Sequence, residues 1–159
     1  MYQKVLVPVD GSELAECVLP HIESIAKGCC VKNVTFIYVV KPVSSSIWAG
    51  EESLPRLIME ASNRMESEAR ATGERYLMQL LGRVKYDGVD IQSQVMFGDH
   101  VADVIADYAT KNEADLIIIS THGRSGISRW AWGSVADRIL RATCVPVLMV
   151  RAPGCIHGI

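Results

Sequence analysis

Four short runs of apolar residues, separated by segments with helical spacing, constrain the fold of this chain more than any other feature. The runs span residues 4–9, 34–40, 115–119 and 145–150. Continuous apolar runs are typical of strands in parallel sheets, whose two faces are both covered by helices. A fifth segment, 89–95, alternates apolar and polar residues, which predicts an outer strand. The order β-α-β-α-β-α-β-α-β therefore predicts a doubly wound parallel α/β sheet with right-handed crossovers and helices on both faces.

The segments between the strands predict four helices. They are expected at residues 13–27, 54–82, 101–109 and 134–142. Ser12 is expected to cap the first helix, Pro20 to kink it and Gly28 to end it. Asp99 is expected to cap the third. Gly73, inside the second helix, predicts a weak point there.

Composition limits the class of protein. With 159 residues, 49% hydrophobic and 21% charged, we expect one globular domain over 1–152 and a frayed tail over 153–159. A net charge of −2 argues against nucleic acid as a partner. The sequence shows neither a run of about 18 apolar residues nor a signal-peptide pattern. We therefore expect a cytoplasmic protein with no membrane partner, whose five cysteines, including the adjacent Cys29 and Cys30, are reduced thiols.

Ligands of doubly wound sheets bind beyond the carboxyl ends of the strands, where the winding direction changes. Three turns qualify: 8–12, 39–41 and 120–134. The last is rich in small and polar residues, and Gly133-Ser134 opens a helix, an arrangement that binds phosphate through backbone N–H groups and the helix dipole. The same composition is also common in surface loops, so both interpretations stay open.

Other nucleotide signatures are absent from the sequence. It contains neither GxxxxGK[ST] nor GxGxxG after the first strand, which argues against a P-loop hydrolase. Asp10 either contacts a ribose or metal ion or shapes the turn after the first strand. His122 invites a general-acid role, but no acid or base partner lies near it in sequence, so no catalytic residue is assigned.

Two distant motifs resemble the universal stress protein family. The first is residues 7–12, VPVDGS, and the second is residues 120–126, STHGRSG, followed by GSVA at 133–136. The resemblance runs from Lys4 to Arg151. It implies a five-stranded parallel sheet of order 3-2-1-4-5 and a homodimer formed through the last strand, residues 145–150.

The resemblance also implies an ATP site, because nucleotide-binding members carry Gly, two residues, Gly, nine residues, then Gly-Ser or Gly-Thr. Here Gly123 and Gly133 match, whereas Ser120 replaces the first glycine. A serine at this position costs about 1–2 kcal/mol if its φ must be positive, and little if φ is negative.

Carried over by position, the family's ligand contacts fall on both motifs and on the ends of the second and third strands. The implied nucleotide-binding residues are Pro8, Val9, Asp10, Val39, Gly98, Ser120, His122, Gly123, Arg124, Gly133, Ser134 and Val135. Val9 and Val39 would form the adenine slot, Val39 through its backbone groups, and Gly98 would let the chain pass close to the ligand. Magnesium or manganese would be held mainly by phosphate oxygens, without a metal site of protein residues.

Two functions follow as hypotheses. In the first, the protein is an ATP-binding stress-response sensor or switch, with AMP and ADP as alternative ligands and at most slow hydrolysis. In the second, it is a dimeric interaction module that has lost nucleotide binding, and Ser120 marks the loss. Residues 44–54 are expected to fold over the nucleotide as a lid. Trp130 and Trp132 are expected either in the core or at an interface with a second subunit.

Overall fold

The computed structural model describes residues 2–42, 55–121 and 134–151, with the backbone alone for 55–58. The strands are β1 Lys4–Val9, β2 Asn33–Val40, β3 Asp90–Phe97, β4 Leu116–Ser120 and β5 Val147–Val150. The α-helices are α1 Leu19–Cys29, α2 Pro55–Arg83, α3 Val101–Lys111 and α4 Ser134–Ala142, and a 3₁₀ turn spans Ala15–Val18. The tail at 153–159, the expected lid and both Trp130 and Trp132 lie outside the described residues.

The five strands form one parallel sheet of order β3-β2-β1-β4-β5, which confirms the predicted fold. β1 lies at the centre, with Val5 paired to Val34 of β2 on one side and to Leu116 of β4 on the other. β3 occupies the outer position that its alternating pattern predicted, and its side chains are largely exposed. The chain therefore winds outward from β1 through β2 to β3, then crosses back to β4 and β5.

Alternate side chains of each strand point to opposite faces of the sheet, and each face carries its own helices. The α2 face packs against α1, α2 and the 3₁₀ turn. Its core includes Val5, Val7, Val18, Ile22, Val34, Phe36, Tyr38, Leu77, Leu80 and Ile118. The α3 face packs against α3 and α4. Its core includes Leu6, Ile37, Ala102, Ile105, Ala109, Ile117, Ile119, Ala136 and Ile139.

The start of the first helix differs from the prediction. The backbone forms the 3₁₀ turn first, and α1 begins only at Leu19. Pro20 lies in the first turn of α1, where its fixed φ fits and its missing N–H leaves no bond unmade, so it begins the helix rather than kinking it. Gly28 does not end the helix either. Cys30 does so, in the left-handed conformation with φ of 55° and ψ of 43°.

The predicted cap of α3 was also wrong. His100 is the N-cap residue, with φ of −108° and no side-chain hydrogen bond to the helix end, so Asp99 does not fill that role. Gly73 has a packing role instead of weakening α2, because a Cβ there would lie 2.8 Å from Cδ1 of Tyr38. Across the described residues, none of the helices is both long enough and apolar enough to span a membrane.

Candidate functional site

The winding direction changes between β1 and β4, which are neighbours in the sheet. Their carboxyl ends place Asp10, which follows β1, on the same edge of the sheet as Ser120, the last residue of β4. The start of α4 belongs to this edge as well, because α4 connects the carboxyl end of β4 to β5. The structure thus places the end of β1 beside the end of β4 at one edge of the sheet.

The turn after β1 is held by its own hydrogen bonds. Oδ1 of Asp10 accepts from the backbone N–H of Ser12 at 3.0 Å and from its hydroxyl at 2.6 Å. Oγ of Ser12 in turn accepts from the N–H of Ala15 at 3.1 Å. Gly11 has φ of 84°, a conformation that a side chain would strain. The turn-shaping role considered for Asp10 is therefore present. Ser12 does not cap an α-helix as predicted, and bonds instead to the first residue of the 3₁₀ turn, whose N-cap residue is Leu14.

Ser120 occupies the position where the resemblance implies a glycine. It pairs with Val150 of β5 as a regular strand residue. The non-glycine residues of positive φ among those described are Cys30 and Glu113, so Ser120 adopts an ordinary strand backbone. Its side chain is buried, and the thiol of Cys17 donates to its hydroxyl at 3.6 Å. The serine therefore fits without the backbone strain that a left-handed position would impose.

Thr121, which sequence reasoning did not single out, is also buried at this edge. Its N–H donates to the carbonyl of Val150 at 2.9 Å, so the pairing of β4 with β5 continues one residue past Ser120. Cys17 was missed in the same way. It lies on the 3₁₀ turn, which the helical pattern of 13–27 concealed.

Gly98 has a structural reason to be glycine. Its N–H donates to the carbonyl of Val40 at 3.1 Å, and a Cβ on it would lie 2.4 Å from Cγ2 of Val104 in α3. The close approach that the residue permits is thus to α3. This packing accounts for the glycine without a ligand.

The remaining predicted residues divide into two groups. Pro8 and Val9 are buried in β1, Val39 and Val135 are half-buried, and Ser134 is exposed at the start of α4. His122, Gly123, Arg124 and Gly133 lie outside the described residues.

Two grooves formed by described residues lie elsewhere. One, of about 450 Å³, lies between α2 and β3, and includes Arg70, Leu77 and Val95. The other, of about 230 Å³, lies at the amino ends of the strands beside Lys4 and Asn33. Neither groove contains a predicted site residue. In the part of the chain that the structure describes, no group of three or more His, Cys, Asp and Glu side chains could hold a metal ion.

The model of the universal stress protein family matches residues 1–151. The chain belongs to the universal stress protein family. Universal stress protein MJ0531 of Methanocaldococcus jannaschii is 30% identical over 154 residues, which cover 96% of this chain and 84% of that protein.

Solved structures agree with this assignment. The structure of the protein MJ0577, a universal stress protein of the same organism, superimposes with a TM-score of 0.71 at 25% identity. The match covers 97% of this chain and 99% of the MJ0577 chain. A universal stress protein crystallised in complex with cAMP has a TM-score of 0.56 at 23% identity and covers 95% and 98%. At that identity the likeness shows a shared fold.

Proposed function

We propose that this universal stress protein binds ATP at the carboxyl ends of β1 and β4 and acts as a nucleotide-dependent sensor or switch. The observation that carries the proposal is the backbone of Ser120. This residue is the departure from the family's nucleotide-binding spacing, and it ends β4 with an ordinary strand conformation. The substitution therefore causes no backbone strain at Ser120 itself.

The chemistry of this edge suits a nucleotide. The start of α4 offers N–H groups with the partial positive charge of a helix N-terminus, and Ser134 is exposed there to donate a hydroxyl. Gly123, Arg124 and Gly133 complete the proposed phosphate contacts, beside His122 and Val135. A cyclic nucleotide bound to another member of the fold supports the same ligand class.

The base and the ribose are assigned to β1 and β2. Val9 and the backbone groups of Val39 form the adenine slot, with Pro8 and Gly98 as neighbouring residues, and Asp10 contacts the ribose through its carboxylate. Magnesium or manganese accompanies the phosphates and is held by their oxygens. ADP and AMP are the alternative ligands, and hydrolysis is at most slow. The proposed location of the protein is the cytoplasm.

A second function rests on β5. This strand forms one edge of the sheet, and Val147, Leu148 and Met149 are only half-buried there. Apolar side chains on an edge strand favour pairing with another strand. We propose a homodimer through β5. If nucleotide binding is absent, this surface carries the function as an interaction module.

Calorimetric titration of ATP with magnesium tests the proposal. The wild-type protein should bind ATP, and Gly133→Val should abolish binding, because a branched side chain would stand where the proposed phosphate cradle meets α4. Gly82→Val is the matched control. Gly82 lies in α2, and apart from its chain neighbours and the adjacent backbone of its own helix no atom lies within 4 Å of the place that its Cβ would occupy.

The outcomes separate the two functions. Binding that is lost in Gly133→Val and kept in Gly82→Val supports the sensor. Absence of both heat and thermal stabilisation at millimolar ATP would refute it and leave the interaction module. Equal binding by both variants would mean that the nucleotide binds elsewhere on the molecule.

A further inference from the structure

Polar contacts join α2 to the turn that follows β1. The hydroxyl of Tyr76 in α2 donates to Oε1 of Glu16 at 3.2 Å. Nη2 of Arg83 donates to both oxygens of the same carboxylate, at 2.9 and 3.0 Å. The Glu16 side chain is only 19% exposed. Glu16 belongs to the 3₁₀ turn, so these bonds fix the turn to α2.

Tyr76 is a hydrogen-bond donor throughout the neutral range. Burial, and then the negative charge of Glu16, raise the pKa of its phenol well above the usual value. The group therefore keeps its proton, and the bond to Glu16 is a charge-assisted one.

The ring of Tyr76 contacts a different strand. Its centroid lies 6.0 Å from that of Tyr38 at an interplanar angle of 52°. Tyr38 precedes Val39 in β2, and it also packs against the backbone of α2 at Gly73. One side chain of α2 thus contacts β2 beside the proposed adenine slot and, through Glu16, the turn after β1.

Hydrogen bonds link the residues of this turn to one another and to β4. Asp10, Ser12 and Ala15 are linked by consecutive hydrogen bonds, and Cys17 bonds to Ser120 of β4. A displacement of Glu16 would therefore move both Asp10 and the side of Ser120 that faces the turn.

We infer that Tyr76 is a positioning residue of the nucleotide site, which sets the distance between the β2 side of the adenine slot and the Asp10 turn after β1. The inference rests on the proposed function. It assigns to Tyr76 no contact with the ligand. Its ring contacts Tyr38 near the end of β2, and its hydroxyl acts on the turn after β1 through Glu16.

Tyr76→Phe tests this assignment, because it keeps the ring against Tyr38 and removes only the hydroxyl. Tyr86→Phe is the matched control. Tyr86 is buried in the same core, and its hydroxyl donates to the carbonyl of Leu19, the first residue of α1, at 3.3 Å and not to Glu16. Loss of one positioning bond should weaken ATP binding roughly three- to tenfold in Tyr76→Phe. Tyr86→Phe should bind as the wild type does.

Two measurements separate positioning from general loss of stability. Calorimetry gives the affinity of each variant, and hydrogen exchange of the ligand-free proteins gives the mobility of residues 12–17. Tyr76→Phe should exchange faster over 12–17 and bind more weakly, while Tyr86→Phe changes neither. Glu16→Gln, which keeps an acceptor for Tyr76, should bind more tightly than Glu16→Ala.

The results that would overturn the inference differ from those that refute the function. If Tyr76→Phe binds ATP as tightly as the wild-type protein does, the inference alone is overturned. It is overturned as well if both tyrosine variants lose affinity equally, since that indicates a shared structural effect. Wild-type protein that binds no ATP would overturn the proposed function together with the role of Tyr76 in it.

Discussion

The two faces of the sheet are packed with different kinds of side chain. On the α2 face, large aromatic side chains carry polar groups into the core, as in Tyr38, Tyr76 and Tyr86. On the α3 face, the helices contribute small residues such as Ala102 and Ala136. Small side chains let helices approach the sheet and each other closely. The tyrosines instead require hydrogen-bond partners, and Tyr76 and Tyr86 find them in the 3₁₀ turn and at the start of α1.

This difference teaches where each face is vulnerable. The α3 face has little space for added volume, since a methyl group at Gly98 would overlap Val104. The α2 face depends on donors and acceptors from distant parts of the chain, such as Glu16 and Tyr76. We therefore expect packing variants to act mainly through stability, and loss of the Tyr76 hydroxyl on the α2 face to act on the position of the β1 turn.

The largest expected effect is common to both faces. Phe36→Ala on the α2 face and Ile139→Ala on the α3 face should each lower the free energy of unfolding by about 2–5 kcal/mol, because both side chains are fully buried. Urea denaturation followed by circular dichroism measures the change. Leu140→Ala is the control, because Leu140 follows Ile139 in α4 and is 49% exposed. An Ile139→Ala variant no less stable than Leu140→Ala would contradict the core assigned to the α3 face.

The next effect tests close packing on the α3 face. Gly98→Ala should destabilise by about 1–3 kcal/mol, because its Cβ would meet Cγ2 of Val104, whose χ1 is restricted in a helix. Val104→Ala should restore part of the loss when the two changes are combined. Thermal unfolding can compare these variants with Gly28→Ala. Gly28 is at an open helical position, where alanine should raise the free energy of unfolding by up to about 1 kcal/mol through its higher helix propensity. If Gly98→Ala behaved as Gly28→Ala does, the close approach would be refuted.

A smaller effect is expected for the corresponding glycine of the α2 face. Gly73→Ala brings a Cβ within 2.8 Å of the Tyr38 ring, but it also gains about 1 kcal/mol of helix propensity. The net change should be a loss of about 0–2 kcal/mol. Gly82→Ala in the same helix has no such contact and should be stabilising. Equal stability of the two variants in urea would show that the Tyr38 ring moves aside freely.

The smallest effect concerns a single hydroxyl. Burial, and then Glu23, raise the pKa of Tyr86 to about 12 in the folded protein. Because this pKa exceeds the unfolded value of about 10, the folded state binds the proton more tightly, and stability falls as pH rises from about 10 through about 12. Tyr86→Phe should lose about 0.5–1.5 kcal/mol at pH 7 and show a shallower decline over that range. Parallel pH profiles for the two proteins, measured by urea denaturation, would contradict the raised pKa.

Most of the fold follows from local patterns in the sequence. The continuous apolar runs indicate strands that are buried on both faces, and the alternating pattern of β3 indicates a strand that is buried on one face only. The errors occur where a local signal has two meanings. Pro20 is compatible with a kink or with a first helical turn, and the 3₁₀ turn before it decides the matter. Gly28 and Asp99 have the residue types of a stop and a cap, yet the neighbouring Cys30 and His100 take those positions.

The candidate site was only partly accessible to sequence reasoning. The positions of Asp10 and Ser120 at the ends of β1 and β4 were predicted, because apolar runs mark the buried strands that they follow or end. The role of Gly98 was not, because its partner Val104 belongs to the following helix and the contact depends on how that helix packs. The hydrogen bond between Tyr76 and Glu16 joins residues 60 positions apart, so no local pattern in the sequence predicts it.

Protection of Cys17 from alkylation tests the central claim most directly, that ATP binds where β1 and β4 end. Cys17 is half-buried beside Ser120, whereas Cys30 and Cys144 are exposed elsewhere and serve as internal controls. We predict that ATP with magnesium slows alkylation of Cys17 and leaves the rates at Cys30 and Cys144 unchanged, as measured by mass spectrometry. An unchanged rate at Cys17 under conditions where calorimetry shows ATP bound would contradict the claim.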